Sequence, residues 1–173
     1  MTLYKRVDYI TASGGGDSFY EYLLKTHILM EGNEALQLRM WEQSVDSMNN
    51  YLRSVSTEGS VFLGEAIDDK KYLKTGELVC FMPGNLLLGA RYLQKPVYET
   101  FAKELMDSCF KTWHNSPTGL SPEGWGWIDQ ESNDSNITAA YTLEQKKIYK
   151  DLAFIPTQSS YQLRPGIYNA NSK

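Results

Sequence analysis

Leu38, Trp41, Val45, Met48, Leu52 and Val55 recur at spacings of 3, 4, 3, 4 and 3. That period lays a continuous apolar stripe along about five helical turns. Arg39, Glu42, Asp46 and Arg53 fall mostly off it. A helix with such a stripe must bury it against neighbours, and a coiled coil would need a longer heptad run. The spacing therefore predicts a packed helix in a mainly α chain.

The flanking sequence fits helices around it. Gly14-Gly15-Gly16 reads as a loop, and the helix after it is predicted from about Ser18 to Glu31 and ended by Gly32-Asn33. Ser18 and Glu21 have capping-box spacing, with Asp17 at the positive end of the helix dipole. Val61–Glu65 and Glu77–Phe81 are apolar runs separated by the polar Asp68–Lys71, which predicts a small antiparallel hairpin. Pro83-Gly84 breaks the second run. A short helix over Leu86–Leu93 follows, then another from Pro96 with Val97, Phe101, Leu105, Cys109 and Trp113 along one face. Residues 115–142 are rich in turn residues; Leu143–Leu152 is amphipathic, and Tyr161–Gly166 reads as extended.

Composition excludes several classes. With 173 residues, 42% apolar and 22% charged, the chain is globular and of single-domain length. A net charge of -4 leaves no basic surplus for phosphates, which argues against nucleic acid. No apolar run approaches the roughly 18 residues of a membrane span. The polar start Met1–Asp8 is no signal peptide. Either the protein is cytosolic or Met1 is not the true start of the gene product. Cys80 and Cys109 form no CxxC pair and join no Cys/His cluster, so a zinc site is not expected. Asn133-Asp-Ser135 and Asn136-Ile-Thr138 are glycosylation sequons that lean weakly towards a secretory context.

Three segments and the Cys80/Cys109 pair could carry chemistry. Asp17 after the glycine run is either a helix cap or a carboxylate held at a cavity rim; residue types alone favour the cap. Glu123 in Gly119-Leu-Ser-Pro-Glu123 lies beside Trp125 and Trp127. Acid next to aromatics suits sugar, because ring C–H faces pack on aromatic planes and the carboxylate binds hydroxyls or moves protons. A solvated loop acid is the plainer alternative. Leu163-Arg164-Pro165 reads first as a surface turn.

Taken in order, Gly16-Asp-Ser-Phe-Tyr-Glu-Tyr-Leu-Leu-Lys25, Leu78-Val-Cys-Phe-Met-Pro-Gly84 with Leu88-Gly89, Glu104-Leu-Met106 leading to Cys109, Thr118-Gly-Leu-Ser-Pro-Glu123 and Tyr161-Gln-Leu-Arg-Pro165 resemble glycoside hydrolase family 47, the class I α-1,2-mannosidases. The Pro-Gly after Cys-Phe is most similar to the endoplasmic-reticulum type. The resemblance covers roughly Gly14 to Pro165. It implies an (α/α)7 barrel of helical hairpins, here partial, with a small β-hairpin. It implies inverting hydrolysis of terminal α-1,2-linked mannose on high-mannose N-glycans, with calcium at the pocket base. By matching position, Asp17 and Glu123 are implied as catalytic-site acids, and Glu21, Phe81 and Arg164 as substrate-binding residues. Cys80 and Cys109 match the family's disulfide, which moves the expected compartment to the endoplasmic reticulum or Golgi lumen. A membrane anchor would lie outside this chain. An alternative is a non-catalytic glycan-binding or quality-control relative.

Departures from the pattern carry their own expectations. Glu77 stands where the family has His, and Gly166 and Asn169 stand where it has Glu. One acid and the calcium-binding threonine match nothing here, so no metal ligand is expected in this chain. The chain is expected to be an internal piece of the family's domain, without turnover alone. Stripes such as Leu38 to Val55 are expected to be partly exposed at cut edges, as in an uncapped repeat array.

Overall fold

The computed structural model describes residues 9–68 and 70–130, and the backbone of 167–169. Two helical pairs dominate it. Helix α1 (Asp17–Leu29) is joined to α2 (Ala35–Ser47) by a short turn, and α3 (Met82–Leu93) to α4 (Pro96–His114) by Gln94-Lys95. Gln94 takes a left-handed conformation (φ 54°), the Lys95 N–H bonds back to the Ala90 carbonyl at 2.9 Å, and Pro96 opens α4. A proline in the first turn loses no helical hydrogen bond, and the residue before it is pushed to extended backbone, so the corner is sharp.

Three small antiparallel sheets complete the fold. β1 (Tyr9–Ile10), β4 (Glu65–Ile67) and β5 (Lys70–Tyr72) form one; β2 (Arg53–Val55) and β3 (Val61–Leu63) the second; β6 (Lys74–Gly76), β7 (Gly124–Trp127) and β8 (Ile167–Asn169) the third. The expected hairpin is thus replaced. Val61–Leu63 pairs backwards with Arg53–Val55, and the Asp68 turn joins β4 to β5 instead. Glu77–Phe81 is a 3-10 turn, not a strand, so Cys80 sits in a turn. Pro83 and Gly84 do not break the chain; they form the first turn of α3, which starts at Met82 rather than Leu86.

The apolar stripe is real, but it crosses three kinds of backbone. α2 ends at Ser47, a π-helical turn spans Met48–Leu52, and Arg53–Val55 is strand. Asn49 and Asn50 are poor helix formers, and pairing with β3 takes over the backbone beyond them. Trp41, Val45, Met48 and Leu52 are all buried, with Leu38 and Val55 half-buried against them. The stripe is therefore covered, contrary to the expectation of an exposed edge. On α4, Phe101, Leu105 and Cys109 are buried as expected, but Val97 and Trp113 are exposed; Tyr98 and Thr112 fill that face instead.

The core gathers around aromatics. Trp41 meets Tyr98 edge-to-face at 5.4 Å, and its Nε1 donates to Asn85 Oδ1 at 2.7 Å. Phe62 packs on Trp127 at 4.8 Å and on Trp125 at 6.1 Å. No described helix is long and apolar enough to cross a membrane.

Candidate functional site

Three chain segments converge on Gly76. The first is the turn before α1. The Ser13 carbonyl accepts the N–H groups of both Gly16 and Asp17 at 3.0 Å. Gly16 backs onto Thr11, where a Cβ would stand 2.2 Å from the carbonyl oxygen, and Gly15 has φ +94°. Only glycine fits such an approach. The helix cap is Gly16, which has no side chain, so the Ser18–Glu21 capping box is not formed. Asp17 is instead the first helical residue, with its carboxylate at the positive end of the α1 dipole.

The second segment is β6 with the 3-10 turn after it. A Cβ on Gly76 would lie 2.5 Å from Ser13 Oγ, and one on Gly14 would lie 3.3 Å from Leu78 Cδ1. The glycine loop therefore rests directly on Gly76 and Leu78. The third segment carries Glu123. Its carbonyl accepts the Glu77 N–H at 2.9 Å, and Gly124 stands opposite Gly76 in the β6–β7 register. Pro122 is buried beneath it and the Glu123 side chain is exposed. Asp17 and Glu123, 106 positions apart, are thus both anchored within one residue of groups that touch Gly76 or its neighbour Glu77.

Of the other expected site residues, Glu21 and Phe81 are described. Glu21 lies one turn after Asp17 and pairs with Lys25, whose ammonium is held above its usual range by that hydrogen bond. The Glu21 backbone carbonyl accepts the Asn85 side-chain amide at 3.5 Å. Phe81 ends the 3-10 turn and packs half-buried on the core. Arg164 lies outside the described residues, as do both sequons and Leu143–Leu152. Cys80 and Cys109 are joined by a disulfide with Cα atoms 5.8 Å apart, which ties the 3-10 turn to α4.

Trp125 and Trp127 do not offer faces to a sugar. They are 0% and 1% exposed and pack on Phe62, with Trp127 Nε1 donating to Ser54 Oγ at 2.8 Å. Glu123 lies in the bend just before β7, and there its side chain is exposed while the indoles of the strand sit in the core. Aromatics that do reach solvent, Tyr9 and Phe19, lie beside the glycine loop before Asp17. A cleft of about 280 Å³ is lined by Tyr9, Thr11, Gly14, Gly16, Phe19 and Tyr20. Burial holds the Tyr20 phenol above its ordinary range.

A buried polar group was not foreseen. Glu65 and Lys74 meet at 3.2 Å under the glycine loop, and the Thr11 hydroxyl donates to Glu65 at 3.1 Å. The sequence signal was Glu65 closing an apolar run, which is an unusual place for an unpaired charge. Among the described residues no group of three or more His, Cys, Asp or Glu could hold a metal ion.

The chain is 32% identical over 164 residues to a mannosyl-oligosaccharide alpha-1,2-mannosidase of Coccidioides posadasii, covering 94% of this chain and 30% of that one. It is 30% identical to the enzyme of that name from Penicillium citrinum, covering 91% and 30%. The fold superposes on the alpha-1,2-mannosidase from Trichoderma reesei with a TM-score of 0.69 at 28% identity, over 79% of this chain and 30% of that structure. The chain thus spans about 30% of the length of these relatives. A sequence profile of Glycosyl hydrolase family 47 matches residues 2–170, and the chain therefore belongs to that family.

Proposed function

We propose that this chain forms the part of an α-1,2-mannosidase site that recognises terminal mannose on high-mannose N-glycans. The observation that carries this reading is the convergence on Gly76, which anchors Asp17 and Glu123 at one junction. Two carboxylates flanking one sugar are what inverting hydrolysis needs: one protonates the leaving oxygen and the other activates water, about 6.5–9.5 Å apart. The helical pairs α1/α2 and α3/α4 would be consecutive hairpins of an (α/α)7 barrel. The disulfide supports an oxidising compartment, the lumen of the endoplasmic reticulum or Golgi. Calcium in such a site would take its ligands from outside the described residues, and no step is assigned to it.

Glu77, Gly166 and Asn169 favour a further point. They replace one His and two Glu of the family pattern, so glycan binding without turnover is the expected behaviour of this chain. Titrating the purified chain with a high-mannose N-glycan, while assaying for free mannose, tests both parts. Saturable binding with no mannose released is expected, and D17N and E123Q each weaken it. Absence of binding, or binding unchanged in both variants, would refute the reading; release of mannose would refute the second part. Binding without turnover that persists in the longest natural product would favour a glycan-binding relative over an enzyme.

A further inference from the structure

A continuous polar chain runs under the glycine loop to the backbone of Asp17. It starts at Glu65, which is 6% exposed and paired with the equally buried Lys74. Glu65 Oε1 accepts the Thr11 hydroxyl at 3.1 Å, and Thr11 Oγ1 accepts the Ser13 N–H at 2.9 Å. The Ser13 carbonyl then accepts the N–H groups of Gly16 and Asp17. Tyr9 also hydrogen-bonds Glu65; burial first, then that bond, raises the phenol above its ordinary range.

Each link has a chemical reason. Thr11 donates and accepts at once, which a hydroxyl can do and a methyl cannot. The acceptor at the far end is a carboxylate, so the first bond is charge-assisted and polarises those after it. Lys74 pairs with that carboxylate in a place where an unpaired charge would be costly. Lys74 is also two residues before Gly76, on the strand against which Ser13 rests. The same pair therefore fixes the turn through Thr11 and the surface on which the turn lies.

We propose that Glu65 and Thr11 are positioning residues for the Asp17 carboxylate, acting through Ser13. The proposal rests on Asp17 being a glycan-site acid, as above. Thr11→Val keeps the shape of the side chain and cuts the relay; Thr11→Ser keeps the hydroxyl. In the full chain, T11V should speed amide hydrogen exchange at Gly16 and Asp17 by about tenfold and displace the Asp17 carboxyl resonance, with α3 and α4 unchanged. T11S should leave all of these at wild-type values. A second variant, E65Q/K74M, replaces the buried pair by neutral groups of similar size and should raise exchange at the same two amides, even if T11V fails to fold. T11V and T11S behaving alike, or no change at Gly16 and Asp17 in either relay variant, would overturn the proposal. Exchange and the carboxyl resonance are read without glycan. A chain that binds no mannose would thus sink the functional reading and leave this result standing.

Discussion

Ser13 occupies the space that a side chain on Gly76 would need: a Cβ there would stand 2.5 Å from Ser13 Oγ. The contact joins the turn before Asp17 to the strand whose neighbour begins directly after Glu123. Because the colliding atom is the end of a small side chain, G76A can be absorbed by rotating Ser13. A β-branched residue cannot. G76A is expected to weaken glycan binding by less than about tenfold, and G76V by more, with wild-type-like circular dichroism in both. Isothermal titration with a high-mannose glycan reads the difference.

Gly89 shows the same logic in the core. A Cβ at this position would lie 2.0 Å from Trp41 Cη2, and Trp41 is fully buried with its Nε1 bonded to Asn85. The indole cannot move without breaking that bond. G89A should therefore cost about 3 kcal/mol, at the upper end of overpacking. Urea unfolding followed by tryptophan fluorescence measures it, and a loss below about 0.5 kcal/mol would mean that the helices separate more easily than their packing implies.

The disulfide closes a loop with a sequence separation of 29. Loop-closure entropy for that length is about 3.6 kcal/mol, before any native-state relaxation. C80S/C109S should lose roughly this amount in chemical denaturation. Adding reductant to the wild type should bring it to the same midpoint, because the 3-10 turn and α4 stay packed through Val79 and Leu105.

Alkaline pH offers a test of the α2–α4 contact. Tyr98 is buried, and its hydroxyl donates to Asp46 Oδ1 at 2.9 Å; burial, then the Asp46 bond, raises the phenol above its ordinary 10.0. The sign follows from linkage. The unfolded chain loses this proton first, so the contribution is fully present below pH 10 and fades as pH rises beyond it. Urea midpoints at about pH 8 and about pH 10.5 should differ more in the wild type than in Y98F. Equal drops would contradict the assignment.

Much of this fold was legible because helix periodicity survives local detail. The stripe from Leu38 to Val55 located a buried face correctly even though nearly half of it is a π-helical turn and a strand. A spacing of 3 and 4 cannot distinguish an α-turn from a π-turn that keeps Met48 and Leu52 inward. Strand pairing was not legible, since Val61–Leu63 had two possible partners and the choice depended on the short turn at Gly59, with φ +79°. The motifs pointed to Asp17 and Glu123, but the junction at Gly76 that anchors both depends on a contact across 63 residues, from Ser13 to Gly76. The reading of Trp125 and Trp127 as sugar platforms failed because composition near an acid says nothing of which face of a strand is buried.

The proposed function has Asp17 and Glu123 facing one mannose-binding junction around Gly76. Titrating the isotopically labelled chain with α-1,2-linked mannobiose, and mapping the perturbed backbone amides, tests it most directly. Shifts are expected to concentrate at Gly14–Asp17, Glu77 and Glu123–Gly124, and to be reduced together by D17N and by E123Q. No saturable shifts, or shifts confined to other parts of the chain, would contradict it.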